Sequence, residues 1–162
     1  MGLSCDRDHE WAGMGGMTRR LVFSIAFGLA LTACSDAAGP LDDLVVARQR
    51  WVRERPAAYR YTLTRSCFCG FVGPVEIEVR GDSVVARRSP NGEPPVGPQV
   101  ASSFPSVDGL FRIVGDAIDR KAASLDAAYD PRLGYPSRIS IDYDRQIADD
   151  EIVYTVSAFQ RL

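Results

Sequence analysis

The stretch Val-Glu-Ile-Glu-Val-Arg-Gly-Asp-Ser-Val-Val-Ala-Arg-Arg, residues 75–88, decides the fold. Its first half alternates apolar and charged residues, which is the period of a β-strand with one buried face. Gly81 and Asp82 then supply the chemistry of a two-residue hairpin with glycine first. The stretch therefore predicts two antiparallel strands joined by a tight turn.

The same alternation occurs on both sides of this hairpin. It predicts one strand upstream and three strands downstream, because each run has a period of two. These strands cover residues 59–65, 125–129, 138–143 and 151–159. Residues 89–105 are rich in Pro, Gly and Ser and have no apolar period. We therefore predict an exposed irregular loop there.

Two amphipathic helices are predicted beside the strands. The first runs from about residue 41 to residue 55, since Pro40 suits a first helical position and Pro56 forbids continuation. Its apolar residues at helical spacing are Leu41, Leu44, Val45 and Val52. Trp51 is expected to fill the core.

The second helix runs from an N-cap at Ser106 to about residue 123. Its apolar stripe consists of Val107, Leu110, Phe111, Val114, Ile118 and Ala122.

The order helix, strand, strand, strand thus occurs twice in residues 41–162. This order predicts a single α+β domain, an antiparallel sheet with two helices packed on one face. A duplicated helix-strand-strand-strand unit would explain the order, although the halves share no residue-level identity.

The segment before this domain has the features of an export signal. Arg19 and Arg20 precede an uncharged run, residues 21–33, which is too short to span a bilayer and has the length of a signal-peptide core. Leu31-Thr32-Ala33-Cys34 resembles a bacterial lipobox, in which the cysteine thiol receives a diacylglyceryl group. Residues 17–33 are therefore predicted to be a lipoprotein signal peptide and residues 1–16 a start-site extension. Residues 34–40 would be the lipidated Cys34 and a short tether.

The predicted lipoprotein signal places the protein in the cell envelope, anchored to a membrane by lipid. In a Gram-negative cell we expect the periplasmic face of the outer membrane. The formal net charge of −2 offers no electrostatic case for nucleic acid.

Signal removal also limits the chemistry of the mature domain. The only histidine, His9, and all three methionines lie before Cys34. Histidine-dependent nucleophile activation and histidine-ligated zinc are therefore excluded from the mature chain. Carboxylate, tyrosine and thiolate chemistry remain open, but the pattern favours a non-enzymatic protein without a cofactor.

Cys67-Phe68-Cys69 is the sharpest local motif of the mature domain. In a continuing strand the Cα atoms of residues i and i+2 lie ~6.7 Å apart, so a disulfide requires a bend. One interpretation is a structural bridge, and the other is a thiol-disulfide exchanger. The same pair could bind a soft metal such as Cu(I) or Zn(II).

Two further motifs flank the downstream strands. An acidic cluster consists of Asp142, Asp144, Asp149, Asp150 and Glu151. It is a weak candidate for calcium, because an EF-type loop needs glycine where Ile147 stands, and a solvated turn is the better interpretation.

The second motif is residues 129–136, Tyr-Asp-Pro-Arg-Leu-Gly-Tyr-Pro. It predicts a structured turn whose aromatic rings could also face a partner.

Several motifs together resemble a known family. They are the segment 51–56 with Tyr59-Arg60-Tyr61 after it, Cys67-Phe68-Cys69-Gly70, residues 106–111, Tyr129-Asp130-Pro131 and Gly134-Tyr135-Pro136. This combination resembles bacterial envelope lipoproteins catalogued as a domain of unknown function. The resemblance implies secretion and one small domain, with no established activity. The helix-plus-meander arrangement is more distantly similar to inhibitor-like and peptidase-propeptide modules.

The sequence thus predicts a lipid-anchored envelope protein that binds another protein or a cell-wall component without catalysing a reaction. The alternative is a redox or soft-metal-binding module that uses Cys67 and Cys69.

Overall fold

The structure is a computed structural model that describes residues 39–69, 73–89, 97–147 and 149–162. The predicted start-site extension, the signal peptide and Cys34 lie outside the described residues. Within the described ranges, no helix is long and apolar enough to cross a membrane.

The described chain forms six strands and three helices. The helices are α1 (Pro40–Glu54), α2 (Pro98–Ala101) and α3 (Val107–Asp119). The strands are β1 (Ala58–Cys67), β2 (Val75–Arg80), β3 (Ser83–Arg88), β4 (Ser124–Tyr129), β5 (Pro136–Asp142) and β6 (Ile152–Arg161). The strands form one open antiparallel sheet in the order β3-β2-β1-β6-β5-β4.

The sheet has one apolar face, and α1 and α3 contribute to the same core as that face. Paired residues of neighbouring strands point to the same side, as Tyr59 and Val79 or Leu63 and Val75 do. All four side chains are buried with residues of α1 and α3 in a single cluster. The prediction of a mixed α+β domain with an antiparallel sheet is therefore confirmed. The element order repeats a helix and three strands, and duplication of a unit stays a prediction.

The region predicted as an irregular loop, 89–105, is more structured than expected. Residues 98–101 form α2, and Phe104 is fully buried in the core. A single buried residue between Ser103 and Pro105 has no periodicity, so the pattern could not reveal it. Residues 90–96 lie outside the described ranges.

Helix α3 ends four residues before the predicted position. Lys121 adopts a left-handed conformation with φ of 55°. Its N–H donates to the Ile118 carbonyl at 3.0 Å, and the N–H of Ala122 donates to the Ala117 carbonyl at 3.0 Å. This is a Schellman motif, which satisfies the last carbonyls and turns the chain toward β4.

The predicted apolar stripe of α1 was wrong for three of its four residues. Leu41, Val45 and Val52 are exposed, and the buried face consists instead of Leu44, Ala47 and Trp51. The helix carries two stripes at helical spacing, and the buried one includes a small alanine that a search for large apolar residues overlooks. The prediction that Trp51 fills the core is confirmed, since its exposed fraction is 0%.

Aromatic rings join α1 to the middle of the sheet. Trp51 meets Tyr59 edge-on, with ring centroids 5.2 Å apart and an interplanar angle of 89°. Phe159 stacks on Tyr59 at 5.3 Å and on Tyr135 at 4.5 Å. Such pairs contribute about 0.5–1.5 kcal/mol each beyond burial of their area. The cluster therefore connects α1, both central strands and the turn before β5.

That turn, residues 130–135, is organised by a carboxylate. Asp130 Oδ1 accepts the backbone N–H groups of Arg132 at 3.0 Å and Leu133 at 2.6 Å. Leu133 is buried, and Tyr135 lies against Phe159. The motif is thus a structured turn whose tyrosine ring packs on the domain itself.

Gly134 brings the turn into direct contact with α1. Its φ is +86°, and a Cβ at this position would lie 2.4 Å from the Ala47 carbonyl oxygen. Arg50, on the same helix, donates a hydrogen bond from Nη1 to the Pro131 carbonyl oxygen, at a distance of 2.8 Å. The turn and α1 therefore meet backbone to backbone, which only glycine permits.

We predict that Gly134→Ala lowers the free energy of unfolding by roughly 2–4 kcal/mol, because backbone strain and the clash with α1 add together. Gly81→Ala is the matched control, since φ is +58° there and nothing lies within 4 Å of the added Cβ. The control should lose about 1 kcal/mol. Urea denaturation of both variants measures the difference, and equal losses would contradict the close approach at Gly134.

Candidate functional site

A cleft of about 420 Å³ lies between α3 and the β5–β6 ladder. The α3 wall consists of Gly109, Arg112, Ile113 and Asp116. These positions have the spacing i, i+3, i+4 and i+7, so they form one stripe along the helix. The volume is in the range of small-ligand sites.

The opposite wall comes from the sheet and its margin. Ile141 and Ile152 are direct partners in the ladder and therefore point to the same face. Tyr143 and Tyr154 lie beside them in the cleft lining. The floor is thus aliphatic, and two phenol groups line its edge.

The segment before α3 closes a third side, through Ser102 and Pro105. Side chains from two strands hold this segment: Tyr61 Oη donates to the Pro105 carbonyl, and Arg87 Nε donates to the Phe104 carbonyl at 2.8 Å. A Cβ on Gly109 would lie 2.4 Å from Pro105 Cβ, so the glycine allows the close packing of this wall. This wall of the cleft is therefore tied to β1, β3 and α3.

The charged groups of the cleft differ in how they are paired. Asp116 Oδ2 accepts from Tyr143 Oη and from Arg120 Nη1, each at 3.4 Å. The Arg120 guanidinium also lies 4.0 Å from the centre of the Tyr143 ring. Arg112, in contrast, forms no ion pair with any residue in the described part of the chain. Within the described ranges, Arg112 is thus a positive charge of the cleft that forms no ion pair.

Both tyrosines of the cleft are protonated at neutral pH. Burial raises the pKa of Tyr154 above its ordinary value, against a smaller opposing effect of Arg65. Burial also raises the pKa of Tyr143, and the negative charge of Asp116 adds to this shift. Both hydroxyl groups therefore remain able to donate a hydrogen bond.

The two cysteines of the Cys-Phe-Cys motif are joined by a disulfide next to the cleft. Their Cα atoms are 5.3 Å apart, less than in an extended strand, because the chain bends at the end of β1. The bend brings the Cys69 N–H to the Cys67 carbonyl at 2.9 Å. Cys67 is the ladder partner of Ile152, so the bridge borders the aliphatic floor. Phe68, between the cysteines, is 84% exposed.

The acidic cluster lies at the same end of the sheet, between β5 and β6. Its carboxylates bind the backbone of their own turn: Asp150 Oδ2 accepts from the Asp144 N–H at 2.9 Å, and Asp144 Oδ1 accepts from the Gln146 N–H at 3.0 Å. Across the described ranges, no three His, Cys, Asp or Glu side chains group in a way that could hold a metal ion.

The structure therefore brings together motifs that the sequence separated. Tyr143 lines the cleft, and the disulfide and the acidic turn lie at the same end of the sheet. Sequence reasoning missed Ser102, Arg112, Asp116 and Tyr154 as a site. The available signal was Gly109 inside a helix, with charged residues at i+3 and i+7 on its own side of the helix, away from the apolar stripe.

The fold and the cleft define a class, a small α+β domain with an open antiparallel sheet and a ligand-sized cleft on its helical side. A family model, the Family of unknown function (DUF6174), matches residues 43–161. The chain belongs to this family, which confirms the resemblance to a domain of unknown function. Comparison with curated proteins and with solved structures gives no match.

We predict that the tyrosines make stability fall in alkaline solution. Burial raises the pKa of Tyr129 to about 12, from the ordinary value of 10. The unfolded chain then loses its phenolic protons at lower pH than the folded one. The contribution to stability is therefore full below pH 10 and declines between pH 10 and 12.

Absorbance at 295 nm during an alkaline titration checks this prediction. Folded protein should ionise its tyrosines later than protein in concentrated urea, and Tyr129→Phe should lose less stability over the same range. Identical titration curves for folded and unfolded protein would contradict the burial of these rings.

Proposed function

We propose that this is a lipid-anchored, non-enzymatic protein of the cell envelope whose domain binds another protein or a cell-wall component in the cleft. The observation that carries the proposal is Arg112 beside an aliphatic floor, a guanidinium that forms no ion pair with the residues the structure describes. A membrane tether at Cys34 would keep this binding surface near the envelope structures that it serves.

The chemistry of the cleft favours a particular class of ligand. A guanidinium without an ion-pair partner attracts a carboxylate or phosphate, and it can form two parallel hydrogen bonds with either group. Ile113, Ile141 and Ile152 favour an apolar side chain next to that anion. A peptide with a free or side-chain carboxylate beside an apolar residue has both features, and cell-wall peptides and protein segments belong to this class.

The anchor is supported by the order of three sequence features. Arg19 and Arg20 precede the uncharged run 21–33, and Leu31-Thr32-Ala33-Cys34 follows at its end. Several acyl chains, at about 0.8 kcal/mol per buried methylene, would make membrane release very slow. In a Gram-negative cell the proposed location is the periplasmic face of the outer membrane.

A redox role is the second candidate, and the position of the disulfide beside the cleft favours it. Cys69 is exposed, so a partner thiolate could reach its sulfur. That thiolate would form a mixed disulfide and release the Cys67 thiolate. A second partner thiol would then release the domain as a dithiol, and the partner would be oxidised by two electrons. The reduced pair would also offer two thiolates to a soft metal such as Cu(I).

We predict that Cys34 carries the lipid. Cells grown with labelled palmitate should label the wild-type protein, and Cys34→Ser should remain unlabelled and uncleaved. Cys69→Ser is the matched control, since this cysteine lies in the domain and outside the predicted lipobox, and it should label normally. Persistent labelling of Cys34→Ser, or an unlabelled wild type, would overturn the anchor.

We predict that binding depends on Arg112 and not on the disulfide. Loss of a charged hydrogen bond costs about 1.5–3 kcal/mol, so Arg112→Gln should weaken capture of envelope components on the order of tenfold or more. Arg138→Gln is the control, because Arg138 is exposed and its neighbour Ile139 faces the core.

Pull-down from solubilised envelopes compares these variants with the double change Cys67→Ser and Cys69→Ser. Retention of the same partner by the double variant supports binding. Mixed disulfides that disappear in the double variant would instead support the redox role.

A further inference from the structure

The outer side of α1 carries an unusual share of the exposed apolar surface. The exposed fractions are 56% for Leu41, 44% for Val45, 56% for Val46 and 63% for Val52. Half of the large hydrophobic residues exposed in the described ranges lie on this one helix. The residues cannot be explained by the core, because α1 buries its other face through Leu44, Ala47 and Trp51.

Three of these residues form a stripe with positive charge beside it, and the fourth, Val46, lies about 100° from Val45 around the helix axis. Leu41, Val45 and Val52 have the spacing i, i+4 and i+11, which places them within about 40° of one another around the helix axis. Arg48 and Arg53 share one surface patch with Val45 and Val52. Asp42, the acidic residue on the same side, accepts a hydrogen bond from the Gly39 N–H at 3.3 Å at the start of the helix. Apolar residues next to arginines are typical of helices that lie in a membrane interface.

The position of α1 in the chain limits what can cover this stripe. The helix starts at Pro40, six positions after the predicted lipidation site Cys34. A fully extended chain of that length spans about 20 Å. The first turn of α1 would therefore stay within that distance of the bilayer surface, whichever way the domain turns.

We propose that the outer side of α1 lies on the phospholipid surface, with Leu41, Val45 and Val52 among the headgroups and Arg48 and Arg53 at anionic phosphates. This inference rests on the lipid anchor of the proposed function. The lipid anchor would keep α1 close to the membrane, and the stripe would determine which side of the helix faces it. A 15-residue helix, about 22 Å long, would fix the domain on the membrane along its whole length.

The test uses the processed, lipidated protein in vesicles of phosphatidylethanolamine and phosphatidylglycerol with brominated acyl chains, which quench nearby indoles. Val52→Trp adds a reporter on the stripe. Val85→Trp is the matched control, because Val85 is 51% exposed on β3. We expect the added emission of Val52→Trp to fall about twofold or more relative to unbrominated vesicles, and that of Val85→Trp to stay unchanged.

Flotation of the same vesicles separates the two proposals. Protein that floats while both reporters are equally quenched or equally unquenched would overturn the orientation and leave the anchor intact. Protein that does not float would overturn both. A further variant, Arg48→Gln with Arg53→Gln, should reduce the quenching of Val52→Trp in phosphatidylglycerol vesicles, and unchanged quenching would overturn the role of the two arginines.

Discussion

The packing of Trp51 against the aromatic rings of the sheet is the contact on which the rest of the structure depends. The indole is fully buried, with Tyr59 on one side and Phe159 and Tyr135 close by. The indole holds α1 against the sheet. The turn 130–135 then packs against the backbone of α1 at Gly134. Because Trp51 fixes which side of α1 faces the sheet, the stripe of Leu41, Val45 and Val52 must face outward.

The cleft arises at the other end of the same sheet, where the strands and α3 do not fill the space between them. Two ladder partners, Ile141 and Ile152, form its floor, and the next residue in that row is Cys67. Strand register therefore brings the disulfide to the edge of this floor, and the packing of α3 over the sheet adds the Arg112 guanidinium. The binding and redox hypotheses therefore concern different residues at the same end of the sheet.

Much of the fold could be read from periodicity, because half-buried strands alternate and amphipathic helices repeat. The hairpin 75–88 and the N-cap Ser106 are examples, and Ser106 Oγ accepts the Gly109 N–H at 3.4 Å as a cap should. The buried face of α1 was misassigned because its second stripe includes Ala47. The site was less accessible to sequence reasoning. Arg112 and Tyr154 lie 42 positions apart, and only the packing of α3 over the sheet brings their elements together.

The pairing of β1 with β6 has a consequence for the order of events after synthesis. These two strands are the centre of the sheet, yet Tyr59 pairs with Arg161, about a hundred residues later in the chain. The central ladder cannot form until residues 152–161 have left the ribosome, and contacts of such long range form slowly. Until then only the sequential pairs β1–β2, β2–β3 and β4–β5 are available, so the two halves of the sheet stay unjoined while the chain is being made.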